Sequence, residues 1–562
     1  MSKELQEMTR DNNNQSNPSA GFSEQVQANQ QSRASESKSQ YDFIVCGPGS
    51  CNSMVPSFKK EYTVGSKLAT FGRPAMLMAL FATTLCAPSI PAQTPATPVS
   101  SGTRAAVSKL IGNILVEGKA YDYDHDLADK IGPRLTGSDN YVQAVSWAVE
   151  KFNSLGLKNV HTEPFTMPAL WEPEIPATGA IIAPRNQALH IYSHGWSPST
   201  PEEGITGKVM YLSHFLPIDR LTASKDEIAG SIVLIDRSSY GGKPAIGDLI
   251  KALVLINTYS PKAVLLTGGA NGTRIAGTLN IGGKLSGFPV AQIGLEDSLL
   301  IKRLLETGPV TVHFAFKNRI RPATEVQNVV AEIPGSEEPK SIVVIGGHLD
   351  SWHPGTGAQD NGTAVSTVLD VARAVQSLGR PPRRTLRFIL FGGEEQGLVG
   401  SNAYAKKHLS EMPSIDAVVV SDSGSQPSNG WYLMGRNDEK DALVPIESLL
   451  AGLGSNATSN DTEFLFETDH AAFDLFGVPT LVAWNKVDKY FNLHHQASDT
   501  FDSVVEADLM QGVATTAATA YAIADSAQPF APHYTQQQVY DMLEKAGELD
   551  NYKGLKASGF VP

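Results

Sequence analysis

The chain has 562 residues, of which 41% are hydrophobic and 18% are charged, and its formal net charge is −13. This composition predicts a globular protein of two or three domains. The 58 acidic residues outnumber the 45 basic ones, and the sequence has no basic cluster, so nucleic acid is excluded as the expected partner.

The three cysteines all stand near the amino terminus, at Cys46, Cys51 and Cys86. The rest of the chain therefore has no disulfide framework, no thiolate nucleophile and no cysteine-type zinc site. Any metal bound there must be held by histidine, aspartate or glutamate.

Residues 1–53 are predicted to be disordered, because the first forty are rich in Asn, Gln and Ser and nearly free of large apolar groups. The run 41–50 begins like a dinucleotide-binding turn. However, Asn52 stands where a third glycine is needed, and no amphipathic helix follows. We therefore do not expect this part of the chain to bind a dinucleotide.

Residues 54–96 have the three parts of a secretory signal: basic residues, the short apolar run 75–87, and small residues up to Ala96. The apolar run is shorter than the roughly 20 residues that span a membrane. We therefore predict a secreted or periplasmic protein whose translation starts at Met54. The alternative is an uncleaved signal that tethers the chain to a membrane.

The segment 104–160 is predicted to form helices of the same domain as residues 323–526. Apolar residues recur at helical spacing over 104–117 and again after the turn 131–138. Ser138 or Asp139 can cap the second helix.

Residues 161–322 are predicted to be a β-rich insert. Short Val/Ile/Leu runs alternate there with Gly, Pro and Ser, and helices are predicted over 245–257 and 296–307. The apolar runs are 207–212, 231–236, 262–266 and 288–293. The insert lacks a cluster of histidines with carboxylates, so we do not expect it to carry catalysis. Its pattern resembles a protease-associated (PA) domain; the alternative is a generic β subdomain.

Residues 323–526 alternate between strands and helices, which predicts an α/β domain with a mostly parallel mixed sheet between helices. The predicted strands are 326–333, 342–346, 385–391, 417–420 and 478–484, and the predicted helices are 363–378, 398–408, 441–453 and 504–524. The C-terminal tail 527–562 has one predicted helix, 536–546, which is expected to pack on the body of the protein or on a second subunit.

Polar side chains follow the predicted strands at the point where each one ends. They are His348, Asp350, Asp360, Glu394, Glu395, Asp422, His494 and His495. Because the carboxyl ends of parallel strands meet at one edge of a sheet, we expect these side chains to lie close together. Histidines combined with carboxylates suit Zn²⁺ or Mn²⁺.

The runs that carry these side chains resemble metallopeptidase family 28, the di-zinc exopeptidases. The runs are HLDSWHPGTGAQDNG, FGGEEQGLVGS, VVVSDSGS, ETDHAAFDLFGVP and NLHHQASDT. The spacing of twelve residues from His348 to Asp360 and the adjacent pair Glu394 and Glu395 make the resemblance specific. It extends upstream to the run 132–138.

The resemblance implies two zinc ions per subunit. Asp360 would bridge them, His348 and Asp422 would complete one site, and Glu395 and His495 would complete the other. The family often has an unusual peptide bond at the bridging aspartate, which here would be the bond between Asp360 and Asn361.

The resemblance also implies roles for groups around the ligands. Glu394 would be the general base, and Asp350 would hydrogen-bond the imidazole of His348 and fix its tautomer. Further supporting carboxylates would be Asp469 and Asp499. Many relatives have a tyrosine before the last histidine as an oxyanion donor. This sequence has His494 there, so His494 and Tyr490 are both candidates.

The function implied is that of a secreted zinc-dependent exopeptidase acting on dipeptides or short peptides, with a homodimer as a possible assembly. Two alternatives use the same scaffold: a glutaminyl cyclase-type acyltransferase with one zinc, and a catalytically inactive binding ectodomain. The intact ligand set favours two metals and hydrolysis. The sequence leaves open whether the enzyme is an aminopeptidase or a carboxypeptidase.

Overall fold

The computed structural model describes residues 98–213, 218–236, 254–267, 285–459 and 466–557, together with residues 252, 277, 464 and 561. The predictions for residues 1–53 and for the signal-like segment 54–96 lie outside these ranges. The predicted helix 245–257 lies only partly inside them.

Helices of the described residues are α1 Ser101–Glu117, α2 Ala120–His125, α3 Asp139–Ser154, α4 Ile218–Ala223, α5 Lys225–Ile228, α6 Leu295–Leu305, α7 Thr363–Ser377, α8 Val399–Lys407, α9 Asn437–Leu450, α10 Ala471–Asp474, α11 Glu506–Ala524, α12 Gln536–Ala546 and α13 Leu549–Ala557. A short π-helical turn covers Asp126–Ile131, and short 3-10 turns cover Met412–Ser414, Ala451–Leu453, Tyr490–Asn492 and Phe501–Ser503. The segment Ala358–Gly362 is kinked, because Asp360 and Asn361 have non-helical backbone angles. Each of these helices is too short or too polar to span a bilayer.

Strands of the described residues are β1 Lys158–Ala183, β2 Gln187–Ala188, β3 Ile191–Ser193, β4 Ile205–Leu212, β5 Ile232–Asp236, β6 Ala263–Thr267, β7 Val290–Ile293, β8 Thr311–Ile333, β9 Glu338–His348, β10 Arg384–Phe391, β11 Ile415–Val420, β12 Ser428–Tyr432, β13 Ala457–Ser459 and β14 Thr480–Asn485. They lie in the order β13-β12-β14-β11-β9-β10-β8-β4-β5-β6-β7-β3, and β1 pairs with β8 and β2.

The sheet is mixed and mostly parallel. Strands β14, β11, β9 and β10 form one parallel group, and β4, β5, β6 and β7 form another. Strand β8 lies between the groups and is antiparallel to both β10 and β4. The predicted fold class is therefore confirmed.

Helices cover both faces of the sheet around β9. Val343 and Ile345 pack in the core cluster that includes α7 and α11, whereas Ile342 and Val344 pack in the cluster that includes α8 and α10. Successive side chains of a strand point to opposite faces, so a strand covered on both faces is a continuous apolar run. This explains why β9 was visible in the sequence.

Two long strands cross the limits predicted for the insert. Strands β1 and β8, of 26 and 23 residues, pair antiparallel along most of their length. Strand β4 then pairs with the start of β8, so the sheet continues from the insert into the α/β domain. Strand β1 was not predicted because prolines such as Pro164 and Pro168 interrupt it; they are tolerated in a strand at a sheet edge. The domain limits stay a prediction.

The predicted helices agree with the structure except at some ends. Helix α3 has Ser138 as its N-cap, whose side chain accepts a hydrogen bond from the N–H of Tyr141. Helix α9 begins four residues earlier than predicted, at Asn437. The negative charges of Asp438 and Glu439 in its first turn stabilise this start, because they lie at the positive end of the helix dipole. In the tail, Val539 and Leu543 of α12 are buried against the body of the protein.

Glu163 of β1 forms a polar cluster with Lys407 and His408 at the end of α8, and we expect this cluster to make the stability depend on pH. Burial alone would raise the pKa of Glu163, but hydrogen bonds with His408, Lys407 and His161 outweigh it and lower the pKa to about 2. The hydrogen bond with Glu163 in turn raises the pKa of His408. The Glu163 contribution is lost as pH falls from 4.5 towards 2, and the His408 contribution is lost as pH rises above 6.5.

We therefore expect His408→Gln to lower the free energy of unfolding by about 1 kcal/mol near pH 5.5 and by less near pH 8.5. Urea denaturation of the wild type and the variant at both pH values measures this. Comparing the two proteins at each pH cancels the other titrating groups. A difference that is equal at both pH values would contradict the assignment.

Candidate metal centre

The carboxyl ends of four neighbouring parallel strands supply the polar side chains of the candidate site. Strand β9 ends at His348, Asp422 follows β11, and Glu394 follows β10 after two glycines. His495 lies in the loop after β14. Because these strands are parallel and adjacent, their ends meet at one edge of the sheet, as ligand sites of open α/β sheets commonly do.

His348 lies at the centre of one group of potential ligands. Its Nε2 atom is 3.2 Å from Asp360 Oδ1 and 3.4 Å from Asp422 Oδ1. The ligand atoms of these three residues lie within 4.8 Å of one another. The imidazole is fully buried, and Asp422 is mostly buried.

A second group shares Asp360 with the first. The Nε2 atom of His495 is 3.4 Å from Asp360 Oδ2 and 2.9 Å from Glu395 Oε2. The two oxygens of Asp360 therefore face two different histidines. This is the arrangement that a carboxylate bridging two cations needs. The structure brings together all five residues that were predicted as ligands.

Glu394 is buried beside these groups. Its Oε2 atom is 3.9 Å from His348 Nε2, and only 2% of the residue is exposed. Burial raises the pKa of Glu394 well above its usual value; the charges of Asp422 and Glu395 add to the rise, and His348 opposes it. A carboxyl group with a raised pKa is suited to accept and return a proton.

The electrostatics of the cluster fit a divalent cation. Within the described residues, His348 Nε2, Asp360 Oδ2 and Glu395 Oε1 have no hydrogen-bond partner. Burial raises the pKa of Glu395 to about 8, and the charge of Asp360 adds to the rise. Buried carboxylates are costly unless a cation compensates them. Nitrogen and oxygen donors without sulfur suit zinc or manganese, so the residues fit such a metal.

Asp350 and Asp499 support the cluster in different ways. The backbone oxygen of Asp350 is 3.0 Å from His348 Nδ1, whereas its carboxylate Oδ1 atom is 3.6 Å from the same nitrogen. The carboxylate of Asp499 accepts hydrogen bonds from the backbone N–H groups of Gln359, at 2.6 Å, and Asp360, at 3.2 Å. Asp350 therefore faces His348 Nδ1 with both its carbonyl and its carboxylate, and the carbonyl is the nearer of the two.

Asp469, the remaining predicted supporting carboxylate, is fully buried. Burial raises its pKa to about 7, while the charge of His348 opposes the rise. The peptide bond between Asp360 and Asn361 is cis.

His494 lies beside two of the proposed ligands. Its ring stacks on that of His495 at a centroid distance of 3.8 Å, and its Nε2 atom is 3.4 Å from Asp360 Oδ2. The ligand atoms of His494, His495 and Asp360 all lie within 4.8 Å of one another. Burial, together with the charge of His495, lowers the pKa of His494 to about 3, so it is neutral at pH 7.

Two residues near the centre were not singled out from the sequence. Trp352 packs edge-on against His495 and against Trp171 of β1, both at 6.3 Å between ring centroids. Arg134 donates hydrogen bonds to the loop that separates His348 from Asp360. Arg134 stands in the run 132–138 that carried the resemblance, which was the available signal.

An open α/β sheet that gathers histidines, carboxylates and one further buried glutamate at its carboxyl edge defines the class of α/β metallohydrolases. The sequence pattern of Peptidase family M28 matches residues 328–521. Carboxypeptidase Q of Rattus norvegicus is 30% identical over 440 residues, which cover 75% of this chain and 89% of that protein. The chain belongs to peptidase family M28, as the motifs predicted.

Solved structures agree with this relationship. The crystal structure of a Peptidase M28 precursor from Shewanella amazonensis is 28% identical, has a TM-score of 0.69, and matches 77% of this chain and 99% of that one. A zinc aminopeptidase from Bacillus subtilis has the same fold, with a TM-score of 0.55 and 22% identity, over 71% of this chain and 93% of that one.

Proposed function

We propose that this chain is a zinc-dependent exopeptidase that hydrolyses dipeptides or short peptides. The observation that carries the proposal is the position of Asp360 between His348 and His495, with one carboxylate oxygen facing each imidazole. Both carboxypeptidase Q and an aminopeptidase of Bacillus subtilis are among the relatives, which supports an exopeptidase.

The ligand set proposed is His348, Asp360 and Asp422 for one zinc and Asp360, Glu395 and His495 for the other. Zinc, when bound, supplies a Lewis acid that acidifies water and polarises a carbonyl. The buried Glu394 takes a proton from the attacking water and returns it to the leaving amine. Trp352 packs edge-on against His495 at the site and limits the movement of that ring.

The test of this proposal uses dipeptides with free and with blocked termini. We expect hydrolysis when one terminus is free, loss of activity with a chelator, and recovery with Zn²⁺. The terminus that must be free distinguishes an aminopeptidase from a carboxypeptidase. Cleavage of peptides blocked at both ends, or activity that survives chelation, would contradict the proposal.

Elemental analysis of the purified protein separates hydrolysis from the glutaminyl cyclase-type alternative. We expect two zinc ions per chain. One zinc per chain, with cyclisation of an amino-terminal glutamine, would favour the alternative instead.

His494 is proposed as the donor to the oxyanion of the transition state. Because His494 is neutral, one of its ring nitrogens carries an N–H that can donate. We expect His494→Phe to lower kcat by about 10²- to 10³-fold with zinc retained, and Tyr490→Phe to have a much smaller effect. Steady-state kinetics and zinc content measure this. The opposite ranking would assign the donor to Tyr490, and loss of zinc in His494→Phe would make His494 a ligand.

A further inference from the structure

Arg134 occupies an unusual position between the turn Asp126–Ile131 and helix α3. The residue is fully buried, and its guanidinium donates hydrogen bonds to backbone carbonyls. Nε donates to the oxygen of Leu349 at 2.7 Å, Nη1 to that of Thr356 at 2.9 Å, and Nη2 to that of Gly357 at 2.9 Å. A buried guanidinium needs partners for its donors, and this loop supplies most of them.

The carbonyls bonded by Arg134 belong to both ends of one loop. Leu349 directly follows His348, and Gly357 stands three residues before Asp360. The loop 349–357 thus connects two proposed ligands, and the guanidinium spans it from end to end. The backbone N–H of Arg134 also donates to Ser351 Oγ, at 3.2 Å.

The loop is built to admit this guanidinium closely. Gly357 has φ of +66°, and a Cβ atom there would collide with the side chain of Ser351 and lie 3.0 Å from Arg134 Nη1. Only glycine combines this backbone conformation with this approach. A lysine could not replace the arginine, because a single ammonium group cannot present the planar fork that reaches three carbonyls.

Arg134 also places a fixed positive charge among several buried carboxylates. Asp124, Asp499, Asp350 and Asp360 all interact electrostatically with it. Since arginine stays protonated in proteins, it reduces the repulsion among these groups whether or not a metal is bound. Both the hydrogen bonds and the charge of Arg134 therefore stabilise the loop 349–357 and the carboxylates near it.

We propose that Arg134 is a positioning residue that holds the loop 349–357, and through it His348 and Asp360, in the geometry that zinc binding requires. This inference rests on the proposed function. It also makes the segment before the insert a part of the metal centre, although that segment contributes no ligand.

The test compares Arg134→Lys and Arg134→Met with Arg384→Met. Arg384 is a matched control: it is also buried, and it also donates to backbone carbonyls, those of Ile523 and Ser526, away from the ligand loop. Zinc dissociation constants are measured by competition with a chromogenic chelator. We expect both Arg134 variants to bind zinc about 10- to 100-fold more weakly, as loss of a partner of a metal ligand does, and Arg384→Met to bind it as the wild type does.

A second readout separates ligand geometry from general stability. The visible absorption of the Co²⁺-loaded protein reports the geometry of the ligands, and we expect it to change in Arg134→Lys but not in Arg384→Met. The proposal is overturned if Arg134→Lys keeps the wild-type zinc affinity and spectrum, or if Arg384→Met loses as much affinity.

Folding failure of the variants is also decisive. If Arg134→Met does not fold, the zinc affinity and the Co²⁺ spectrum of Arg134→Lys test the proposal. An Arg134→Lys chain that folds only when zinc is added supports the proposal. A chain that stays unfolded with zinc overturns it, because the arginine would then serve the fold and not the loop. If the wild type binds no zinc or cleaves no peptide, the proposed function fails; if it does both and Arg134→Lys equals it, only this inference fails.

Discussion

Replacing Glu394 with glutamine is expected to lower kcat for peptide hydrolysis by about 10²- to 10⁴-fold while zinc stays bound. Glutamine has the size of glutamate, so the buried side chain can keep its place, but it cannot accept a proton. Glu394 is not needed as a ligand in the proposed set, because Asp360, Glu395 and His495 complete one group without it. Steady-state kinetics and zinc analysis of the same preparation measure the two expectations.

A matched control for this substitution is Glu439→Gln. Glu439 is another fully buried glutamate. It lies in α9, outside the proposed ligand set, and its Oε1 atom is 3.0 Å from Nε of Arg436, the residue before the helix. We expect Glu439→Gln to lower stability with kcat unchanged. A Glu394→Gln variant with near-normal kcat would refute the general-base assignment, and one that loses its zinc would make Glu394 a ligand.

Substituting Asp360 with asparagine should cause the largest loss of metal. This side chain is the only one whose two oxygens face both proposed groups among the described residues. Asparagine keeps the shape of aspartate but removes the negative charge and one acceptor oxygen. Loss of a residue that hydrogen-bonds a metal ligand weakens metal binding by about 10- to 100-fold. We expect Asp360→Asn to weaken zinc binding by more than this, and to lower the activity as well.

Asp474→Asn is the matched control for Asp360→Asn. Asp474 is a fully buried aspartate in α10; burial raises its pKa to about 7, and the charge of Arg436 opposes the rise. We expect it to keep the wild-type zinc content and activity. Equilibrium dialysis against buffered zinc measures both variants. If Asp360→Asn retained two zinc ions at wild-type affinity, the bridging role would be wrong.

In the role proposed for it, Arg134 extends the candidate metal centre beyond its ligands. The residue precedes the predicted insert in sequence, yet its guanidinium donates hydrogen bonds to the loop between His348 and Asp360. The backbone carbonyl of Asp499, far along the chain, accepts a hydrogen bond from the N–H of Thr356 in the same loop, and its carboxylate accepts hydrogen bonds from the N–H groups of Gln359 and Asp360. Two distant segments therefore bond the loop 349–357. Under the proposed function, we expect variants of either residue to weaken zinc binding more than they change kcat of the zinc-loaded protein.

The main strands of the α/β domain and the edge of the sheet that carries the site could be predicted from local patterns. A strand such as β9 is buried on both faces and so is a continuous apolar run, and a ligand at its end is attached to it directly, as His348 is. The same holds for Asp422 after β11. Connectivity over a few residues determines these positions, so they are visible in the sequence.

Pairings between distant segments needed the tertiary structure. Strand β1 was missed because its interrupted pattern makes sense only beside β8, about 150 residues later. The Asp350 carboxylate was predicted to hydrogen-bond His348, and the structure adds that the backbone carbonyl of Asp350 lies closer to Nδ1, at 3.0 Å against 3.6 Å.

The sequence by itself determined the class of this protein: a mostly parallel α/β sheet with histidines and carboxylates at its carboxyl edge, spaced as in peptidase family M28. Only the tertiary structure decided which atoms meet. It placed Asp360 between two imidazoles, stacked His494 on His495, and set Arg134 across the ligand loop. Residue types and spacings depend on neighbours in the chain, whereas these contacts depend on how segments far apart in sequence pack together.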